Sequence, residues 1–221
     1  MQSASAGSSR FGPRSRIVAD AARGAVPVAW PATLLARRER ARDQPLSRGD
    51  LRYRHRTPPV SVLHCFVLDC SGSMLTGEQL ALAKGLLVAL FDRAGWQRAE
   101  AALVCFGGTS AELRFGPAVP RWWNERWLHP VGGGGGTPLG LGIERAGRVL
   151  AQAARRRPTQ QRWLWVLSDG RSSDAPQRPR FADHVVFVDF EQGRVRLGRC
   201  GHLAHAWAGE CVQPAELIAA S

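Results

Sequence analysis

The stretch Val62-Leu63-His64-Cys65-Phe66-Val67-Leu68, closed by Asp69-Cys70-Ser71-Gly72-Ser73, decides the fold. An almost unbroken apolar run of this length fits a strand buried on both faces, as in parallel sheets covered by helices. Such a strand needs apolar helices on either side of it. The pattern downstream supplies them. Residues 78–93 read as a helix with Leu80, Ala83, Leu87, Leu90 and Ala94 on one face, and residues 138–156 as a second with Leu139, Ile143, Ala146 and Leu150 on one stripe. Between and after them lie strands at 101–106, 163–167 and 185–190, with a short edge strand at 112–115, a helical turn at 122–128, a fifth strand at 195–197 and a last helix at 203–207. Alternating strands and helices predict a three-layer α/β/α, doubly wound, mostly parallel sheet.

Upstream of this pattern the character changes. Residues 1–58 hold twelve arginines and four acids, and 59–221 form the α/β domain. Residues 1–27 are rich in Ser, Gly, Arg and Pro and read as linker, with a short helix beginning at Trp30. The whole chain carries a net charge of +12, and all but one of its 30 basic residues are arginine. Because the excess is concentrated in the arm, the expectation is a flexible segment that docks on an acidic protein surface. No aromatic platform is interleaved with those arginines, which disfavours nucleic acid as the partner. No apolar stretch reaches the roughly 18 residues of a membrane span, and no signal-peptide core is present. The five cysteines are odd in number and include no C-x-x-C pair. Together these features predict a reduced, cytoplasmic protein.

In doubly wound sheets, ligands bind beyond the carboxyl ends of the strands. Asp69, Ser71 and Ser73 follow the first long strand, Thr137 follows a five-glycine run at 132–136, and Ser168-Asp169-Gly170 follows the strand at 163–167. Three hydroxyls and two carboxylates are oxygen donors only, the set that Mg²⁺ takes, or Mn²⁺ in its place. Each piece also has an ordinary reading. A serine caps the helix that follows it, Thr137-Pro138 is an N-cap with proline at the first helical position, and Asp169-Gly170 is a turn.

Together the three pieces resemble the metal-ion-dependent adhesion site of the von Willebrand A family. That resemblance covers about residues 60–221. It implies a Rossmann-like domain in which Ser71, Ser73 and Thr137 bind the ion directly, while Asp69 and Asp169 act through water and second-layer hydrogen bonds. An acidic residue of a partner would then take an open position on the ion. A narrower resemblance rests on Leu51-Arg52-Tyr53-Arg54-His55-Arg56-Thr57-Pro58, Gly134-Gly135-Gly136-Thr137-Pro138-Leu139, Leu167-Ser168-Asp169-Gly170-Arg171 and Val195-Arg196-Leu197-Gly198. These segments are similar to the C-terminal part of the D subunit of magnesium chelatase. In that family an AAA+ ATPase ring drives metal insertion into a tetrapyrrole, and the D subunit links the ring to a large catalytic subunit. The usual D subunit has an N-terminal AAA+-like domain, which 58 residues cannot hold, so the expectation is a truncated or stand-alone relative. The function implied is a non-catalytic, Mg²⁺-dependent subunit of a magnesium or cobalt chelatase-like complex. The alternatives are an adaptor for a MoxR-type AAA+ ATPase and an RNA-associated scaffold.

Three further signals carry less. The glycine run lacks the lysine of a phosphate loop, so no ATPase activity is expected from the chain itself. Cys200, His202, His205 and Cys211 lack the usual spacing of structural zinc sites. Trp123 and Trp127 are four apart and would pack together on a helix.

Overall fold

The computed structural model describes residues 16–18, 28–38, 48–55, 61–75, 78–122, 127, 137–192 and 196–219. The chain divides into two compact units, 1–60 and 61–221. In the first, strands β1 (Arg16–Val18) and β2 (Tyr53–His55) pair antiparallel, and helix α1 (Trp30–Arg38) lies between them in sequence. Pro31 falls in the first turn of α1, where its missing N–H costs nothing. Thr33 is buried, and its hydroxyl oxygen accepts from Arg52 N at 2.9 Å, tying helix to strand. The helix starts where the sequence places it; β1 falls inside the stretch read as linker.

The second unit is a six-stranded sheet. Strand β3 (Val62–Asp69) leads through the short α2 (Gly72–Leu75) and the long α3 (Gln79–Trp96) to β4 (Glu100–Gly107) and β5 (Ser110–Ala118). Helix α4 (Leu139–Arg156) then returns to β6 (Gln161–Ser168) and β7 (His184–Asp189). Helix α5 (Arg199–Ala206), β8 (Glu210–Val212) and α6 (Pro214–Ala219) complete it. The order is β5-β4-β3-β6-β7-β8, parallel except for the antiparallel edge strand β5.

Period-2 alternation distributes the sheet's side chains between two cores. Phe66 and Leu68 pack with α3 residues Leu80, Ala83, Leu87 and Phe91 on one face. Leu63, Cys65 and Val67 pack with Ile143, Ala146 and Leu150 of α4, and with Cys200 and Ala204 of α5, on the other. Helix α4 lies so close to the sheet that a Cβ on Gly142 would sit 2.6 Å from the Phe106 ring. The chain runs outward from β3 through β4 to β5, then crosses back to place β6 on the other side of β3. The crevice between the carboxyl ends of β3 and β6 is therefore the topological switch point, where such sheets hold ligands.

Three expectations need correction. Strand β5 spans nine residues rather than four, because a half-exposed edge strand lacks a continuous apolar run and so reads short in sequence. Arg196 and Leu197 are not in a strand, and Val195 lies outside the described residues; the last strand is β8. The closing helices are α5, which starts four residues before the predicted 203, and α6. The helical turn read at 122–128 and the glycines at 132–136 fall largely or wholly outside the described residues. No helix among the described residues is long and apolar enough to cross a membrane.

His64 is the one titratable ring inside β3. Trp165 Nε1 donates to its Nδ1 at 3.2 Å. Burial, and secondarily the charge of Arg93, push its pKa from 6.5 down to about 4. The folded value lies below the unfolded one, so this ring's contribution is fully present above about pH 6.5 and is lost as pH falls toward 4. Full loss is worth on the order of 3 kcal/mol. Urea titrations between pH 4 and 7 should show this decline, and His64→Gln, which keeps an acceptor for Trp165, should flatten it. An unchanged slope in the variant would refute the assignment.

Candidate metal site at the switch point

Asp69 is the last residue of β3 and is fully buried, with Asp169 immediately beyond β6 and 1% exposed. Buried carboxylates need hydrogen-bond partners. Asp69 Oδ1 accepts from Ser71 N at 2.9 Å, and Oδ2 accepts from the Ser168 hydroxyl at 2.7 Å. Ser168 lies on the neighbouring strand, so this bond spans the switch point. Asp169 Oδ1 accepts from Arg171 N at 3.1 Å. Its Oδ2 is buried and has no hydrogen-bond partner among the described residues; the nearest cation is Arg171 Nε, at 3.7 Å on a half-exposed side chain. Burial raises the pKa of Asp69, hydrogen bonds from Ser71 and Ser168 oppose the rise, and the charge of Asp169 adds to it. A pair of buried carboxylates with one unsatisfied oxygen is an electrostatic deficit that a cation would cancel.

The hydroxyls have the spacing for that role. Ser71 Oγ and Ser73 Oγ lie 3.1 Å apart. Octahedral Mg²⁺ with oxygens at about 2.1 Å sets neighbouring ligands about 3.0 Å apart, so the two serines fit adjacent positions. Thr137 is brought to the same edge by the loop after β6: the Ser172 hydroxyl donates to Thr137 O at 2.7 Å. The N-cap reading of Thr137 is not what the structure shows. Helix α4 begins at Leu139, and its Gly140 N donates to Asp174 Oδ2 at 2.9 Å. The Thr137 hydroxyl makes no hydrogen bond among the described residues and is left available. Ser71 also closes α2 through its backbone carbonyl, which accepts from Met74 N and Leu75 N. Gly170 has φ +71°, a left-handed conformation that glycine adopts without strain because it has no Cβ. The loop is packed against Cys200, whose Sγ lies 3.3 Å from where a Gly170 Cβ would stand.

All five cysteines are free, four of them buried. Cys200 Sγ donates to Ser168 O at 3.6 Å, while His202 and His205 are exposed on α5. No group of three or more His, Cys, Asp or Glu suited to a metal occurs among the described residues. The donors at this edge are thus chiefly hydroxyls, the chemistry of a hard cation and not of zinc.

Residues 65–171, which contain every one of these donors, match the profile of the von Willebrand factor type A domain. The chain carries a von Willebrand factor type A domain. Its sequence is similar to the magnesium-chelatase 60 kDa subunit of Rhodobacter capsulatus, 35% identical over 130 residues that make up 58% of this chain and 22% of that protein. It is also similar to the magnesium-chelatase 60 kDa subunit of Cereibacter sphaeroides, 32% identical over 154 residues, or 69% of this chain and 27% of that protein. The chain thus spans about a quarter of the length of these curated relatives. The crystal structure of an aerotolerance-related membrane protein from Bacteroides fragilis shares the fold, with a TM-score of 0.54 at 18% identity, over 72% of this chain and 96% of that one.

In this von Willebrand A domain the supporting residues Ser168, Ser172, Asp174 and Arg199 are not singled out as site residues by sequence reasoning. Arg199 reaches from α5 to donate to Ser173 O and Asp174 O at 2.8 and 3.0 Å. The available signal is the polar run Ser172-Ser173-Asp174 just after Asp169-Gly170, typical of a loop whose side chains bond to backbone.

If the carboxylate pair is under electrostatic stress without a cation, neutralising one member relieves it. Asp69→Asn should raise the urea midpoint of the EDTA-treated protein. A lowered or unchanged midpoint would show that Asp69 is already compensated.

Proposed function

We propose that this chain is a non-catalytic, Mg²⁺-dependent subunit of a tetrapyrrole metal chelatase-like complex, linking an AAA+ ATPase to the subunit that carries out insertion of magnesium or cobalt. The observation that carries the reading is the oxygen-donor set at the switch point, with Asp169 Oδ2 buried and without a hydrogen-bond partner among the described residues, in a domain similar to magnesium-chelatase 60 kDa subunits. Ser71, Ser73 and Thr137 are the residues that would hold the ion through their hydroxyls. Asp69 and Asp169 would orient the serine backbone and bound water. Bound there, Mg²⁺ would supply a positive charge with open positions suited to an acidic side chain of a partner.

The protein's own part is to hold these donors ready. Asp69 accepts from Ser71 N and so fixes the backbone that carries both serines. Ser168 ties that carboxylate to β6. Ser172 and Asp174 fix the chain on either side of Pro138. Neutral hydroxyl ligands leave the cation's charge largely uncancelled, which favours recognition of a carboxylate over a neutral group. A partner of the I-subunit type or of the MoxR type would present that carboxylate, and a large chelatase subunit is the second partner expected on this reading.

Calorimetry on the full chain should show binding of one Mg²⁺, or Mn²⁺, lost in the Ser71→Ala, Ser73→Ala double variant. An affinity pull-down from native extract should return a chelatase-type ATPase in Mg²⁺, weakened tenfold or more by EDTA and by Asp69→Ala, with circular dichroism confirming the fold. Unaltered metal binding by the double variant overturns the site. Recovery of a MoxR-type ATPase instead overturns the chelatase assignment while leaving the site standing. Copurifying RNA lost steeply with salt would turn the reading to a nucleic-acid scaffold.

A further inference from the structure

The end of the domain remote from the metal candidate carries a second surface. Where α3 finishes and β5 leaves the sheet, a cleft of about 670 Å³ opens. Its base includes Gly95 and the buried Pro120, and the helix meets the exit strand so closely that a Cβ on Gly95 would lie 2.7 Å from Pro120 O. Trp96 and Trp122 line it and are 90% and 65% exposed. Arg98 and Arg121 line it as well, both exposed and without an ion pair among the described residues.

Several physical points make this a binding surface. Leaving a tryptophan nine-tenths in water forgoes the burial that its large apolar ring offers. Trp122 does not stand alone: its ring lies 5.4 Å from Trp127, which lies 4.2 Å from Phe115, and Phe115 lies 5.5 Å from Phe91. The exposed ring is thus the outer member of an aromatic row anchored in the core, held in place before any ligand arrives. Arg98 has φ +54°, a left-handed conformation that glycine would adopt without strain. The turn that ends α3 imposes this conformation, with Arg98 N donating to Gly95 O and Ala99 N to Ala94 O, and it sets the arginine at the rim of the cleft. Tryptophan and arginine are also the residue types that most often dominate the energetics of protein interfaces.

We infer that this cleft docks an acidic segment of a partner protein, with one aromatic or long aliphatic side chain inserted between Trp96 and Trp122 and flanking carboxylates on Arg98 and Arg121. The charge of the cleft selects the occupant: two unpaired guanidinium groups against one carboxylate, Asp92, leave it positive. Two basic residues and an opposing carboxylate make a poor track for a phosphate backbone, which wants a run of cations. The cleft lies at the amino end of β4, because Ala101 pairs with Ala118 at the exit of β5. The metal candidate lies at the carboxyl end of β3, where Asp69 pairs with Phe106. A strand of this length separates the two by roughly 23 Å, so both can be occupied at once.

The probe is a twelve-residue peptide rich in Asp and Glu with a central Phe, titrated in EDTA into the full chain labelled with ¹⁵N at the tryptophan indoles. Saturable shifts of the Trp96 and Trp122 indole signals are expected. Binding should fall at least tenfold when Lys replaces the acids, or when Ala replaces the Phe. Trp96→Ala removes an exposed side chain and should keep the fold while losing binding at least tenfold. Arg98→Gly should leave thermal stability unchanged or raised, yet weaken binding at least fivefold. The inference is overturned by an absence of saturable shifts at millimolar peptide, or by equal binding of the Lys peptide. It is also overturned by tighter binding of a twelve-residue oligothymidine, or by self-association that perturbs Trp96 without peptide. Because the titration is run in EDTA, failure here leaves the metal-site reading untouched, and the converse also holds.

Discussion

From Leu63 to Leu68, strand β3 has helices against both of its faces, and that double burial organises the rest of the domain. It admits only side chains that can leave water, and His64 is accommodated there as a neutral ring bonded to Trp165. Helices on both faces require crossover connections, and crossovers make the neighbouring strands parallel. All of the carboxyl ends of β3, β4, β6 and β7 therefore emerge on one edge. Polar residues excluded from the strand gather where it stops, and Asp69 is the first of them. The same constraint that keeps chemistry out of the strand concentrates it at the switch point.

Much of this is legible in sequence because double burial leaves a plain trace. Strands β3, β4, β6 and β7 are apolar runs of strand length, and α3 and α4 carry apolar stripes at helical spacing. The elements that escape are short or half-exposed. Glu210-Cys211-Val212 pairs with β7 at the sheet's edge and has too few residues to show a period, whereas Val195-Arg196-Leu197 alternates like a strand without being one over its described residues. Strand β5 runs through Gly116-Pro117, tolerated because it is an edge strand, and its pattern dissolves there. Asp69, Ser71, Ser73, Thr137 and Asp169 stand out because each follows a recognisable element. Ser168, Ser172, Asp174 and Arg199 do not, since their bonds join residues 25 to 99 positions apart, and nothing local announces such contacts.

The domain is polarised along its strands. One end is acidic, built from the buried carboxylates Asp69 and Asp169 and the hydroxyls around them. The other is aromatic and basic, built from rings that extend out of the core. Each of these ends satisfies its own physical demand without drawing on the other. Helix α3 runs the length between them, starting beside α2 after the Asp69 loop and ending at Trp96. A module with two independent faces of opposite character can hold two partners without either displacing the other.

The cap on α4 has a bearing on the order in which the protein becomes competent. Helices are commonly capped by a residue adjacent in sequence, but here Asp174 does it from 34 positions downstream, and Ser172 holds Thr137 across 35. Closing loops of that size carries an entropic cost that local capping avoids. The contacts that fix Thr137 and the first turn of α4 therefore require the chain beyond β6 to be in place. Long-range closures of this kind come late in folding. The placement of Thr137 is accordingly a property of the finished domain, and a nascent chain that has made only β3, α3 and β4 holds Ser71 and Ser73 but lacks the contact from Ser172 that positions Thr137.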